Sequence, residues 1–163
     1  RAIALAWMLH LGGDIHQPLH AVALYSTRYA KGDEGGNRIF VRDDTRTVKL
    51  HAFWDGVLGN ARKPEDAKRA AERLVKQPGM SRADLKAAVE KTGYAEWAKE
   101  SKALAERVGY GGGKFPPANA DATEAKPLDL PSGYRNDARD VADRQVVLAG
   151  YRLAERLAAI SKN

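Results

Sequence analysis

Hydrophobic positions along the chain change their period several times, and each change marks an element. Ala2-Ile3-Ala4-Leu5-Ala6-Trp7-Met8-Leu9-His10-Leu11 is apolar on almost every side, so residues 2–12 predict a helix of the kind that lies buried. Gly12-Gly13 ends it, or the chain ends it soon after, because Pro18 lacks an N–H and restricts the residue before it. From Ala21 to Asn37 no period survives, and Gly32-Asp33-Glu34-Gly35-Gly36-Asn37 reads as the breaker-rich end of a loop. Arg38-Ile39-Phe40-Val41-Arg42 and Thr47-Val48-Lys49-Leu50 alternate and are β-branched. With Asp43-Asp44-Thr45-Arg46 between them they predict a small β-hairpin.

Helical spacing then returns. A short helix carries His51 to about Leu58, and Pro64 before Glu65-Asp66 opens another that runs to about Gln77. Ser81 with Asp84 resembles a capping box and starts a helix to about Lys91, and a further one spans 94–109. Residues 110–131, rich in Gly, Pro and Ala, predict a long loop with partial disorder, since ordinary connections are much shorter. The last helix, Tyr134 to Ile160, has apolar residues at Val141, Leu148, Leu153, Leu157 and Ile160. No internal repeat is present, which excludes a solenoid. The expected fold is mainly α, with many helices and one small β-hairpin.

Composition narrows what such a fold can do. At 163 residues, 44% hydrophobic and 29% charged, the chain is the size of one globular domain. No run approaches the ~18 apolar residues of a membrane span. Lys and Arg exceed Asp and Glu by 27 to 21, and the resulting charge of +6 favours polyanions as readily as it describes a solvated basic surface. The absence of cysteine excludes disulfides, thiolate metal sites and thiol nucleophiles, so any metal must rest on His and carboxylate. The chain opens in full helical pattern, with no initiator Met, no cap and no signal-peptide layout. That start predicts the C-terminal portion of a longer protein.

All four histidines lie in two segments, His10–His20 and His51–Asp55. His10 with Asp14, and His51 with Asp55, stand four apart, the spacing that puts both side chains on one helical face. Asp14 has a second carboxylate oxygen with which to bridge to another ion. His20 lies past Pro18, where the chain has turned, and with His51 and Asp55 it offers two imidazoles and a carboxylate with room for a water or substrate oxygen. Such donors suit zinc best, then manganese or iron. A lone His10 on an apolar helix would ordinarily be a hydrogen-bonded core group, but two independent His-x3-Asp pairs outweigh that reading. His16 has no carboxylate at helical spacing and is expected to hydrogen-bond beside the centre rather than bind an ion. Trp54 reads as core, and the later helices as scaffold.

These residues carry a resemblance. His10-x3-Asp14-x-His16-Gln17-Pro18-Leu19-His20, Gly35-Gly36-Asn37 and Leu50-His51-x2-Trp54-Asp55 are similar to the zinc-dependent single-strand nucleases of the S1/P1 type. Glu96-Trp97-Ala98-x-Glu100-Ser101 and Ala149-Gly150-Tyr151-Arg152-Leu153-Ala154 resemble that family's later helices. The resemblance implies a mainly helical fold shared with bacterial zinc phospholipases C, with up to three zinc ions at the bottom of a cleft. It implies a secreted or periplasmic endonuclease that cuts single-stranded DNA and RNA to 5′-mononucleotides, often with 3′-nucleotidase activity, and with no stable protein partner.

By position, His10 would bind the first zinc and Asp14 would bridge the first and third. His20, His51 and Asp55 would hold the second, and Asn37 with Gly36 would meet the nucleotide. The family's remaining ligands, an N-terminal Trp, an early His and a further Asp and His, would precede Arg1. The resemblance therefore implies that 1–163 is the C-terminal portion of one zinc-dependent nuclease domain whose N-terminal part is missing, with one metal site complete. Its chemistry would be attack of a metal-bound hydroxide held beside Asp14 on a phosphodiester. A phospholipase C shares His-x3-Asp-x5-His but characteristically has Glu where Asp55 stands and lacks Gly-Gly-Asn. A helical module that binds zinc or nucleic acid without turnover is the third reading.

Overall fold

The apolar run at the start of the chain forms α1 (Ala2–Asp14) in the computed structural model, which describes residues 1–59, 61, 63–113 and 121–162. The helix passes through Gly12 and Gly13, so neither glycine stops it. Its expected burial is not found: Ile3 is 77% exposed and Trp7 57%, and of the helix only Gly12 is buried. The physical reason is a one-sided contact. α1 packs on the last helix, α6 (Tyr134–Ile160), at Gly12, where a Cβ would stand 2.6 Å from Leu153 Cδ2. Without a side chain the two helices approach closely, and the other sides of α1 face outward.

A 3-10 turn at Pro18–Ala21 follows, capped by Gln17. Alternation in the next ordered stretch yields β1 (Phe40–Asp43) and β2 (Arg46–Lys49), antiparallel with Val41 opposite Val48. The sequence did not announce a third strand, β3 (Leu128–Asp129), which pairs in parallel with β1 and places Leu128 beside Val41. Ala122 extends that seam, buried and accepting from Phe40 N at 3.0 Å. The C-terminal part of the predicted 110–131 loop is therefore part of the sheet region. The expectation of disorder within 114–120 falls outside the described residues.

The strands lead into α2 (Leu50–Gly56), and the remaining helices are α3 (Pro64–Leu74), α4 (Lys86–Val89) and α5 (Tyr94–Leu104), the last continuing as a π turn over Ala105–Gly109. α3 starts on Pro64 with Glu65 and Asp66 in its first turn, matching the positive end of the helix dipole. α4 is shorter than predicted, although Ser81 and Asp84 do exchange hydrogen bonds at 3.1 and 3.2 Å, because residues 82–85 form turns before the regular helix begins.

α5 and the π turn that continues it bury Trp97, Ser101 and Ala105 at intervals of four, and α6 buries Ala138, Gln145, Leu148, Ala149 and Arg152 along one stripe. One core gathers Leu19, Ile39, Val41, Leu50, Phe53, Trp54 and Tyr134 between the sheet, α2 and α6. A second joins Leu74, Leu85 and Val89 to Val147 and Leu148. The fold is mainly α, and the first core brings the 3-10 turn and α2 side by side.

Candidate metal centre

Gln17 organises the entrance to the 3-10 turn. Its Oε1 accepts from Leu19 N at 2.5 Å, which turns its amide so that Nε2 donates to Asp55 Oδ1 at 3.0 Å. His20, on that turn, faces Asp55 on α2: His20 Nε2 is 3.2 Å from Asp55 Oδ1. His51 Nε2, one helical turn before Asp55, is 3.6 Å from Oδ2. The two imidazoles stack, with centroids 4.8 Å apart and planes at 8°. One donor atom from each of His20, His51 and Asp55 falls within 4.8 Å of the others. Adjacent donors of a tetrahedral zinc, bound at ~2.0–2.1 Å, stand ~3.3 Å apart, so this set needs only a small contraction. Two neutral nitrogens and a carboxylate fit zinc with one position open.

Asp14, at the end of α1, stands between His10 and His20. His10 Nε2 is 3.1 Å from its Oδ2, and His20 Nδ1 is 3.9 Å from its Oδ1. His10 and Asp14 supply two donors, and among the described residues no third metal-binding side chain completes a group with them. Cavities open on both sides. One of about 320 Å³ is lined by Asp14, Gln17, His20, Trp54 and Asp55 against Ala142, Gln145 and Val146 of α6. The other, of about 550 Å³, is lined by Leu11, Asp14, Leu19, His20, Val22, Glu34, Gly35 and His51. Asp14 and His20 belong to both.

Two buried networks hold the segments that carry the candidate ligands. Asp33, fully buried, accepts from Leu24 N at 2.7 Å, Gly35 N at 3.0 Å, Gly36 N at 2.7 Å and the Tyr110 hydroxyl at 2.9 Å. Burial above all, with the Asp33 charge, pushes the Tyr110 phenol far above its ordinary value, so it remains a donor. Gly35 O in turn is 2.8 Å from His51 Nδ1. A carbonyl only accepts, so Nδ1 carries the proton and His51 Nε2 points its lone pair at the centre.

The second network surrounds His16. Its Nδ1 donates to Gly12 O at 2.8 Å and its Nε2 accepts from Arg152 Nη1 at 2.9 Å, which leaves neither nitrogen for an ion, and neither bond reaches a candidate ligand. Burial lowers its basicity; the Gly12 carbonyl opposes that and Arg152 adds to it, so the ring is neutral. Arg152 also donates to Ala88 O and, at 2.7 Å, to Glu100 Oε2, and lies over the Trp97 ring. Ser101 Oγ donates to Ile15 O at 2.5 Å and Gln145 Nε2 to His16 O at 3.2 Å. Helices α5 and α6 thus clamp the backbone between Asp14 and His20.

A family model described as S1/P1 Nuclease matches residues 1–162. The chain belongs to the S1/P1 nuclease family. It is 47% identical over 55 residues to Endonuclease 4 of Arabidopsis thaliana, an alignment covering 34% of this chain and 16% of that protein. Endonuclease 2 of the same species is 48% identical over 52 residues, covering 32% and 16%. Nuclease S1 of Aspergillus oryzae (strain ATCC 42149 / RIB 40) is 44% identical over 52 residues, covering 32% and 15%. The matched stretch therefore spans no more than 16% of the length of these relatives.

Within this S1/P1 chain, Gly36 and Asn37 sit beside the larger cavity without lining it. Gly36 backs onto α2, where a Cβ would be 3.1 Å from His51 N, and the Asn37 amide donates to Glu34 O at 3.0 Å. Gln17, Asp33, Tyr110, Ser101, Gln145 and Arg152 were not singled out from their residue types. Their partners lie up to 136 positions away in sequence. Only the recurrence of Gln17, Glu100, Ser101 and Arg152 inside the family-like segments marked them.

Proposed function

We propose that the protein containing this chain is a zinc-dependent phosphodiester hydrolase that cuts single-stranded DNA and RNA to 5′-mononucleotides, with 3′-nucleotidase activity, outside the cytoplasm. The observation that carries this reading is the convergence of His20, His51 and Asp55, in a chain of the S1/P1 nuclease family, between two cavities that share Asp14 and His20. His20, His51 and Asp55 would hold one zinc, with His10 and Asp14 contributing to further sites. When bound, zinc supplies a Lewis acid for phosphate oxygens and a source of hydroxide near neutral pH.

The chain's own residues do the rest. Asp14, with one oxygen toward His10 and the other toward His20, would hold the attacking oxygen beside the centre by accepting a hydrogen bond from it. Gln17 holds Asp55 by its Oδ1 so that the carboxylate stays beside the Nε2 atoms of His20 and His51. Leu11, Leu19 and Val22 form an apolar wall against which an unstacked base can lie, the feature that selects single strands. Asn37, which donates to Glu34 O beside that cavity, would meet the base edge only from behind its rim, with Gly36 next to it. No helix among the described residues is long and apolar enough to cross a membrane.

The test is cleavage of single-stranded DNA, duplex DNA and a phosphatidylcholine analogue by the intact protein, with and without EDTA. Release of 5′-mononucleotides from single strands, abolished by EDTA and restored by zinc, is expected. Metal-independent cleavage, or turnover of the lipid analogue alone, would overturn the reading.

A further inference from the structure

Asp33 lies in a glycine-rich turn, yet its carboxylate is completely buried and accepts four hydrogen bonds. Glu34, Gly35 and Gly36 all adopt left-handed backbone angles, with φ of 58°, 62° and 87°, which turns the N–H groups of Gly35 and Gly36 inward to cradle it. The cradle is thus filled by the chain's own anion. One of those N–H groups belongs to a peptide unit with a second task. Gly36 N–H and Gly35 C=O are the two ends of one peptide plane: the N–H donates to Asp33 Oδ2 at 2.7 Å, and the C=O accepts from His51 Nδ1 at 2.8 Å.

A negative charge on the N–H end of a peptide polarises it and makes its oxygen a stronger acceptor. The stronger that acceptor, the more firmly the proton stays on His51 Nδ1 and the more strictly the Nε2 lone pair is held toward the centre. The arrangement is a carboxylate–imidazole couple with one peptide inserted. Tyr110 donates to the same Oδ2 at 2.9 Å, fixing the carboxylate from just past the π turn that follows α5.

We propose that Asp33 is a positioning residue of the metal centre: through the Gly35–Gly36 peptide it sets the tautomer and orientation of His51 and thereby raises its affinity for zinc, with Tyr110 holding Asp33 in place. The proposal rests on the reading of His20, His51 and Asp55 as a zinc site. It assigns the acidic residue of the glycine turn to the ligand rather than to the substrate.

The experiment compares the intact wild-type protein with Asp33→Asn and Tyr110→Phe. Zinc affinity is read by competition with a chromogenic chelator, the His51 tautomer by imidazole ¹⁵N NMR of the zinc-stripped protein, and apo stability by thermal melting. Asp33→Asn is expected to weaken zinc binding roughly 10- to 100-fold and to give a mixed His51 tautomer. Tyr110→Phe, which keeps the charge, moves both readouts the same way by about five-fold or less. If Asp33→Asn does not fold, Tyr110→Phe decides. Ser81→Ala, on the remote turn before α4, leaves both readouts unchanged. Zinc affinity and tautomer indistinguishable from wild type in both variants would overturn the proposal, even with lower melting temperatures. His51→Ala separates this from the underlying reading: if it removes a zinc while the Asp33 and Tyr110 variants bind normally, only the present inference fails. If it removes none, both fail.

Discussion

At Gln17 one side chain satisfies two groups that lie far apart in sequence, Leu19 N and Asp55 Oδ1. Gln17→Leu keeps the volume but can neither cap the 3-10 turn nor hold the carboxylate. We expect about ten-fold weaker zinc binding, as for other partners of metal ligands, and a similar loss in kcat/KM on single-stranded DNA. Unchanged zinc competition in that variant would show that Asp55 needs no such support. Gly35→Ala tests the neighbouring turn. Its Cβ would lie 2.4 Å from Leu19 O at a φ of 62°, so the change forces apart the segments bearing His20 and His51 and costs more than ~1–2 kcal/mol in denaturant unfolding. The pairs His10–Asp14 and His51–Asp55 were legible because four-residue spacing is a local property, whereas the approach of His20 to the second pair is shown by the fold. Asp33 was not legible: in Gly32-Asp33-Glu34-Gly35-Gly36 an acid reads as solvated loop, and only the fold shows it sealed beneath Tyr110.

At the scale of elements, Arg152 joins α6 to α5, to the end of α4 at Ala88 and to the His16 segment. Arg152→Met retains the packing on Trp97 but strands His16 Nε2 and one oxygen of Glu100. A loss of about 3 kcal/mol is expected, at the lower end for a broken ion pair because Lys91 still bonds Glu100 at 3.0 Å. Glu100 also sets a pH dependence. Burial pushes its carboxyl up, but the bonds from Arg152 and Lys91 outweigh this and hold it below the ordinary 4.5. The unfolded chain therefore binds the proton more readily, and the stabilisation, present above pH 4.5, is lost as pH falls through the lower folded value. Denaturant titrations should show the wild type losing its advantage over Glu100→Gln below pH 4.5; a constant difference down the acid limb would exclude the effect. The hairpin, α3 and α6 were legible from alternation, a first-turn proline followed by acids, and length. β3 was not, since two residues carry no period and their partner strand lies 87 positions away, as Arg42 and Asp129 show.

For the whole molecule, the proposed zinc centre would couple metal binding to stability. His20 is carried by the 3-10 turn, while His51 and Asp55 are carried by α2. In the unfolded chain these donors separate, so zinc bound across them stabilises only the native state. At a free zinc concentration of about 100 times Kd the gain is ~2.7 kcal/mol. Stripping the intact protein with EDTA should lower its melting temperature by several degrees, and zinc should restore it. His51→Ala should melt at one temperature with or without zinc if this triad is the main site, whereas His10→Ala should retain most of the zinc-dependent rise. The charge of +6 adds an independent lever: if Lys and Arg capture a polyanionic substrate, counterion release makes kcat/KM fall with salt, whereas the zinc-dependent melting shift is expected to change little. A melting shift that disappears with moderate salt would place zinc on the exposed, screened surface rather than between His20, His51 and Asp55.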